Sequence, residues 1–386
     1  MMKNWKRALG ITAAAAMAMS MLAPVTAMAD DTFKIGMIGP LTGAAAIYGN
    51  AVANAGELAV NEINEAGGIN GFQIEYNPQD DEHDAEKSVN AYNTLKDWGM
   101  QMLLGSVTSA PCIAVEAEAA GDNLFLLTPS GTAVDCITAG DNAFRVCFSD
   151  PAQGTAAAKW IGEHELAKTV GILYDSSDVY SSGIYATFRA EAQSQPFEIP
   201  ESAITAFTSD NKTDFSAQLQ TLKDAGCDLV FIPFYYNEAT IVLKQASDMG
   251  FETQWFGVDG MDGILSMEGF DTSLAEGLML LTPFSATAED ELTQNFVAKY
   301  QELYKDIPNQ FAADAYDGVY IMKAALEKAG VTADMDYSAV CDAMKTAMTE
   351  IQFEGITGDI TWTADGEPTK DPIAVVIKDG IYEIME

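Results

Sequence analysis

The 386-residue chain carries 57 Asp and Glu against 20 Lys and Arg, a formal net charge of −37, with 48% hydrophobic residues. That apolar fraction suffices for ordinary globular cores, and the length suits two domains. The acidity excludes nucleic-acid binding and disfavours an anionic membrane surface, while two His and five Cys without CxxC or HExxH spacing leave little for a zinc site.

Residues 1–29 read as a secretory signal. Lys3, Lys6 and Arg7 precede an Ala- and Met-rich run over 8–23, then Pro24 and the small-x-small site Ala27-Met28-Ala29. The run is shorter than the ~20 residues of a membrane span. No Cys stands at the cleavage region. The sequence therefore predicts an exported protein, periplasmic or at the extracytoplasmic surface and not lipid-anchored through an N-terminal Cys, in a setting where disulfides persist. Among Cys112, Cys136 and Cys147 the pair Cys112–Cys136 is the first choice; Cys227 and Cys341 read as core fillers.

Short apolar strands then alternate with helical stretches. Strands are predicted at 33–38, 72–76, 102–104 and 124–127, with helices at 48–66, 84–98 and 110–120. Gly67-Gly68 stops the first helix. This order predicts a doubly wound parallel sheet. A second unit repeats the grammar. Helices are predicted at 155–166, 182–193, 215–225 and 239–249, and strands at 170–174, 203–207, 229–232, 254–257 and 278–281. Helices follow at 289–304, 311–328 and 337–349. The tail, 358–362 with 373–377 and Tyr382, alternates like an antiparallel hairpin.

Ligands of open parallel sheets bind beyond the carboxyl ends of the strands. The first unit places Gly39-Pro40 through Tyr48, Thr108-Ser109 and Thr128-Pro-Ser130-Gly131-Thr132 there. The second places Tyr174-Asp175 through Tyr180, Phe234-Tyr235 and Asp259-Gly260. Each Ser or Thr alone suits a helix N-cap. Two such clusters at neighbouring strand ends suit a carboxylate, because hydroxyls and free N–H groups converge. Asp259 serves equally as a turn residue or as the partner of an ammonium. Tyr48, Tyr180 and Tyr235 are the residue type that walls a side-chain pocket.

The same segments resemble the branched-chain amino-acid-binding proteins of ABC importers, with the type I periplasmic-binding-protein fold. The likeness runs from Phe33-Lys-Ile-Gly-Met-Ile-Gly-Pro-Leu-Thr-Gly through Asn61-Glu-Ile-Asn-Glu-Ala-Gly-Gly, Thr128 to Thr132, Phe144-Arg145 with Asp150 and Gln153-Gly154, and Tyr180-Ser-Ser-Gly. The resemblance implies two doubly wound lobes joined by hinge crossings: 30–149 with 283–356, and 150–282 with 357–386. It implies that Ser109 binds a ligand carboxylate, that Ser130 and Gly131 offer backbone groups, and that Thr132 touches both ligand ends. It places Asp259 on the ammonium, where the family often has Glu, and Tyr48, Tyr180, Tyr235 and Phe311 in the pocket wall. Ser130 stands where Ala is common.

The implied function is capture of a branched-chain or similar apolar amino acid and its delivery to ABC permease subunits by a monomer, without cofactor or metal. The alternative is a sensing protein of the same fold for another small carboxylate or amide. An enzyme is not expected. There is no G-x-S-x-G elbow, and His83 and His164 read as solvated residues on polar helices. The run Asp80 to Asp84 lacks the Gly and terminal Glu of a calcium loop and reads as a solvated turn.

Overall fold

The computed structural model describes residues 31–385, so the signal expected over 1–29 lies outside the described residues. The first lobe is built from β1 (Phe33–Gly39), α1 (Ala46–Glu65), β2 (Ile74–Asp80), α2 (Ala85–Trp98), β3 (Met102–Gly105), α3 (Ser109–Asp122), β4 (Phe125–Thr128) and β5 (Ala143–Arg145). Its sheet is parallel throughout, in the order β2-β1-β3-β4-β5. The central strands β3 and β4, Met-Leu-Leu-Gly and Phe-Leu-Leu-Thr, are buried at every residue, because helices cover both faces.

The second lobe follows as α4 (Asp150–Glu163), β6 (Val170–Asp175), α5 (Val179–Ala192), β7 (Ile204–Phe207), α6 (Ser216–Ala225), β8 (Leu229–Phe231), α7 (Tyr236–Asp248), β9 (Gln254–Phe256) and β10 (Met279–Thr282). The chain then returns to the first lobe with α8 (Glu291–Tyr304), α9 (Gln310–Ala329), α10 (Tyr337–Met348), β11 (Phe353–Gly355) and β12 (Gly358–Ile360). It ends in the second lobe with β13 (Ile373–Lys378) and β14 (Ile381–Ile384). The second sheet has the order β14-β13-β10-β9-β8-β6-β7, and its only antiparallel pairings are β10 with β13 and β13 with β14.

Three local readings need correction. β2 continues past Tyr76 through Asn77-Pro78 to Asp80, because it is an edge strand and the missing N–H of Pro78 costs no ladder bond there. The tail hairpin is β13 with β14. Residues 358–360 pair instead with β11, and that small ribbon packs on α9 of the first lobe. Trp362 Nε1 donates to the Arg145 carbonyl at 2.8 Å, and Lys370 Nζ reaches Asp314 Oδ1 at 2.8 Å, both in the first lobe. The edge strand β5 carries no alternation and was not predicted at all.

Close packing brings α1 to the site. A Cβ on Gly49 would stand 2.0 Å from the Pro40 carbonyl oxygen, so only glycine lets the helix start sit against the loop after β1. The neighbouring Tyr48 is thereby aimed at the second lobe and is buried.

Candidate functional site

The floor of the site belongs to the first lobe. Helix α3 starts at Ser109, and no side chain caps it, because the Thr108 hydroxyl is held by His83 Nδ1 at 2.8 Å. The first amides of the helix are left for an anion. Ser109 Oγ accepts the Ala133 N–H at 3.3 Å. The Ser130 hydroxyl donates to the Val107 carbonyl at 2.7 Å, so its side chain ties two loops together. The Thr132 hydroxyl is buried without a protein partner.

The wall belongs to the second lobe. Tyr180 donates to Asp259 Oδ1 at 2.5 Å and accepts the Gly260 N–H at 2.9 Å, while the Asp259 N–H donates to Gln153 Oε1 at 3.0 Å. Burial raises the Asp259 carboxyl to about 6, against the opposing hydrogen bond from Tyr180. Tyr235 stacks on Tyr180 with ring centroids 4.8 Å apart.

The lobes touch around this point. Tyr48 donates to the Gly260 carbonyl at 2.5 Å, and its ring lies 4.3 Å from Phe311, at the start of α9. Gln310 Nε2 donates to the Asp259 carbonyl at 2.8 Å, and Gln310 N–H donates to Asp262 Oδ2 at 2.8 Å. Tyr48, Ser109, Ser130, Thr132, Tyr180, Tyr235, Asp259 and Phe311 line one interlobe gap with Val107, Thr108 and Gly260. Gly131 lies behind it, its N–H 2.7 Å from Thr128 Oγ1. About 220 Å³ of the gap, its solvent-open mouth included, is unfilled by atoms, and little of it is wider than a water.

Sequence reasoning missed three contributors and misread a fourth. Asp150 opens α4 at the first crossing, and its N–H donates to the Thr132 carbonyl at 2.9 Å. Its carboxyl is pushed well up, by burial first and also by the nearby Asp259. Asp150 Oδ1, Gln153 Nε2 and the Tyr235 hydroxyl are buried without protein partners, like Thr132 Oγ1. An acid in a first helical turn reads as a dipole partner, and glutamine carries no pattern, so neither Asp150, Gln153 nor Gln310 had a local signal. His83 is no solvated residue. It stands edge-on to Tyr235 with centroids 5.3 Å apart, and burial first, then Lys212, lowers its imidazole to about 4.

The expected Cys112–Cys136 disulfide is not formed; all five cysteines are free and buried. The two thiols are neighbours but donate to carbonyls, Cys112 Sγ to Cys136 O at 3.8 Å and Cys136 Sγ to Ser109 O at 3.7 Å. Among the described residues no group of three or more His, Cys, Asp or Glu surrounds a metal position. No described helix is long and apolar enough to cross a membrane.

Two doubly wound lobes, three crossings and a gap at the strand ends define the type I two-lobed binding proteins. The chain belongs to the periplasmic binding protein family, whose sequence model, described as "Periplasmic binding protein", matches residues 32–380. It is 32% identical over 343 residues to the Leu/Ile/Val-binding protein BraC3 of Rhizobium johnstonii, covering 86% of this chain and 90% of that one. It is 28% identical to a leucine-, isoleucine-, valine-, threonine- and alanine-binding protein of Pseudomonas aeruginosa, covering 88% of each. The solved structure of the branched-chain amino acid transporter substrate-binding protein LivJ from Streptococcus pneumoniae, in complex with isoleucine, is 29% identical, with a TM-score of 0.83. That match covers 92% of this chain and 99% of the other.

Proposed function

We propose that this protein captures an amino acid of the branched-chain or similar apolar class outside the cytoplasm and hands it to an ABC permease. The relatives named for Leu, Ile and Val binding support the ligand class. The observation that carries the reading is the opposition inside one gap of Asp259 to Ser109 and Thr132. A zwitterion needs that polarity: hydroxyls and amides for its negative end, a carboxylate for its positive end.

The ligand carboxylate settles on Ser109, the amides at the α3 start and the backbone of Ser130 to Thr132. The ammonium lies between Thr132 Oγ1, Asp259 and Asp150, two of which carry buried oxygens without protein partners. Leaving such atoms unpaired costs about 1–3 kcal/mol each, so a ligand that satisfies them stabilises the closed form selectively. Tyr48, Tyr180, Tyr235 and Phe311 enclose the apolar side chain. Asp259, ionised above about pH 6, repels a ligand that lacks an amine, which disfavours simple carboxylates. The moving bodies are 31–149 with 283 to about 370, and the remainder; Lys370 bound to Asp314 supports that limit. The protein acts as a monomer after loss of residues 1–29.

A thermal-shift panel of the twenty amino acids tests the reading. At a hundred times Kd a ligand adds about 2.7 kcal/mol, or ~5–11 °C in Tm for lobes of this size. Leu, Ile or Val should lead the panel. A panel in which no amino acid moves Tm removes the proposal.

A further inference from the structure

No Lys, Arg or His is among the residues lining the gap, yet two carboxylates stand in or beside it. A ligand carboxylate must still find positive potential there. The fully buried Arg145, from edge strand β5, stands behind the floor. Its Nη1 donates to the carbonyls of Gly131 at 3.1 Å and Thr132 at 2.6 Å, and its Nη2 to those of Ala133 at 3.1 Å and Val134 at 3.3 Å. Four consecutive carbonyls therefore point at one cation. In a planar trans peptide the N–H points opposite to the C=O. The amides of these units are thus turned away from Arg145. One of them can be followed outward: the Thr132–Ala133 peptide takes Arg145 on its oxygen and gives its N–H to Ser109 Oγ.

We infer that Arg145 is the positioning residue of the carboxylate floor, orienting the 131–134 peptides and relaying its positive charge through them to Ser109 and the ligand's negative end. This rests on the amino-acid reading above and adds the source of its anion preference. A charge held behind aligned peptide dipoles acts strongly where water is excluded, and Arg145 forms its ion pair with Glu367 rather than with Asp259 or Asp150. The third crossing governs how much of that charge is felt. Half-exposed Glu367 lies 3.4 Å from Arg145 Nη2 and partly neutralises it, while the Arg145 N–H donates to the Gly366 carbonyl at 3.2 Å.

Calorimetric titration of the full mature protein with L-leucine tests this in three variants, with the ligand-free Tm measured for each. Arg145→Lys keeps the charge but not the fork, and should weaken binding about tenfold. Arg145→Gln should weaken it a hundredfold or more. Glu367→Gln removes the counter-charge at constant shape, and should tighten binding at least twofold. A purely structural strap predicts the opposite sign for Glu367→Gln, since breaking its contact would loosen the floor. Glu367→Gln binding equal to or weaker than wild type overturns the inference, as does Arg145→Lys binding within twofold of wild type. If Arg145→Gln does not fold, those two variants decide. A wild-type protein that binds no amino acid defeats the functional reading instead, and is recognised before any variant is made.

Discussion

The two sides of the gap are built by different means, which on the proposed reading meet opposite charges of one ligand. The first lobe lines the gap with no ionised side chain. It uses hydroxyls, the open start of α3 and peptide groups whose carbonyls are held by Arg145 behind them. The second lobe uses Asp259, braced by Tyr180 and Gln153, with Asp150 beside it at the crossing. Dipoles do not titrate and need no counter-ion, so the floor is permanent. A buried carboxylate is costly until something positive faces it, so the wall is conditional on its ligand. On the proposed reading, the difference teaches that the pH response resides in the second lobe and recognition of the carboxylate in the first.

The strongest way to break this contrast is Asp259→Asn. It should lower amino-acid affinity at least a hundredfold at pH 7 in calorimetry, because the ammonium loses its charged partner in a closed gap. The same substitution should leave the ligand-free Tm unchanged or raised, since it removes a carboxylate that burial disfavours. Retained affinity would dissolve the distinction between the two sides.

Acidity gives the next effect. The Asp259 carboxyl in the folded protein sits at about 6, above its ordinary 3.8, so the folded state holds that proton more tightly than the unfolded chain. Its contribution to the ligand-free protein is therefore destabilising above pH 6 and fades as the pH falls through that value toward 3.8. Ligand binding runs the other way, because the ammonium requires the ionised form. Affinity should fall about tenfold between pH 7 and pH 5, with proton release on binding in that window. A flat profile would mean that the wall, like the floor, works without a titrating charge.

The smallest effect sharpens the boundary between the lobes. His83→Ala removes the edge contact with Tyr235 and frees the Thr108 hydroxyl to cap α3. Binding should weaken about two- to fivefold, through a faster off-rate in stopped flow, as expected for loss of one aromatic contact and one hydrogen bond. His83 is neutral above about pH 4, so the pH profile of this variant should overlay the wild type.

Alternation of apolar strands with helices is a local property, and it determined the two doubly wound units directly from residue order. The same holds for the strand ends: Ser109, Ser130 to Thr132, Tyr235 and Asp259 each follow an apolar run, so a parallel sheet must deliver them to one edge. Tertiary structure alone decided which edges face each other and what stands behind them. Gln153 and Asp259 are 106 positions apart and bond only because the second lobe folds α4 back beside the turn that follows β9. Thr132 and Asp150 are adjacent because the first crossing folds back on the floor. Arg145 belongs to a three-residue strand too short for any periodicity, and the free state of Cys112 and Cys136 depends on which carbonyls their thiols meet. Patterning reports whether a residue is inside or outside. Its partner is chosen by the path of the whole chain, which no stretch of sequence contains.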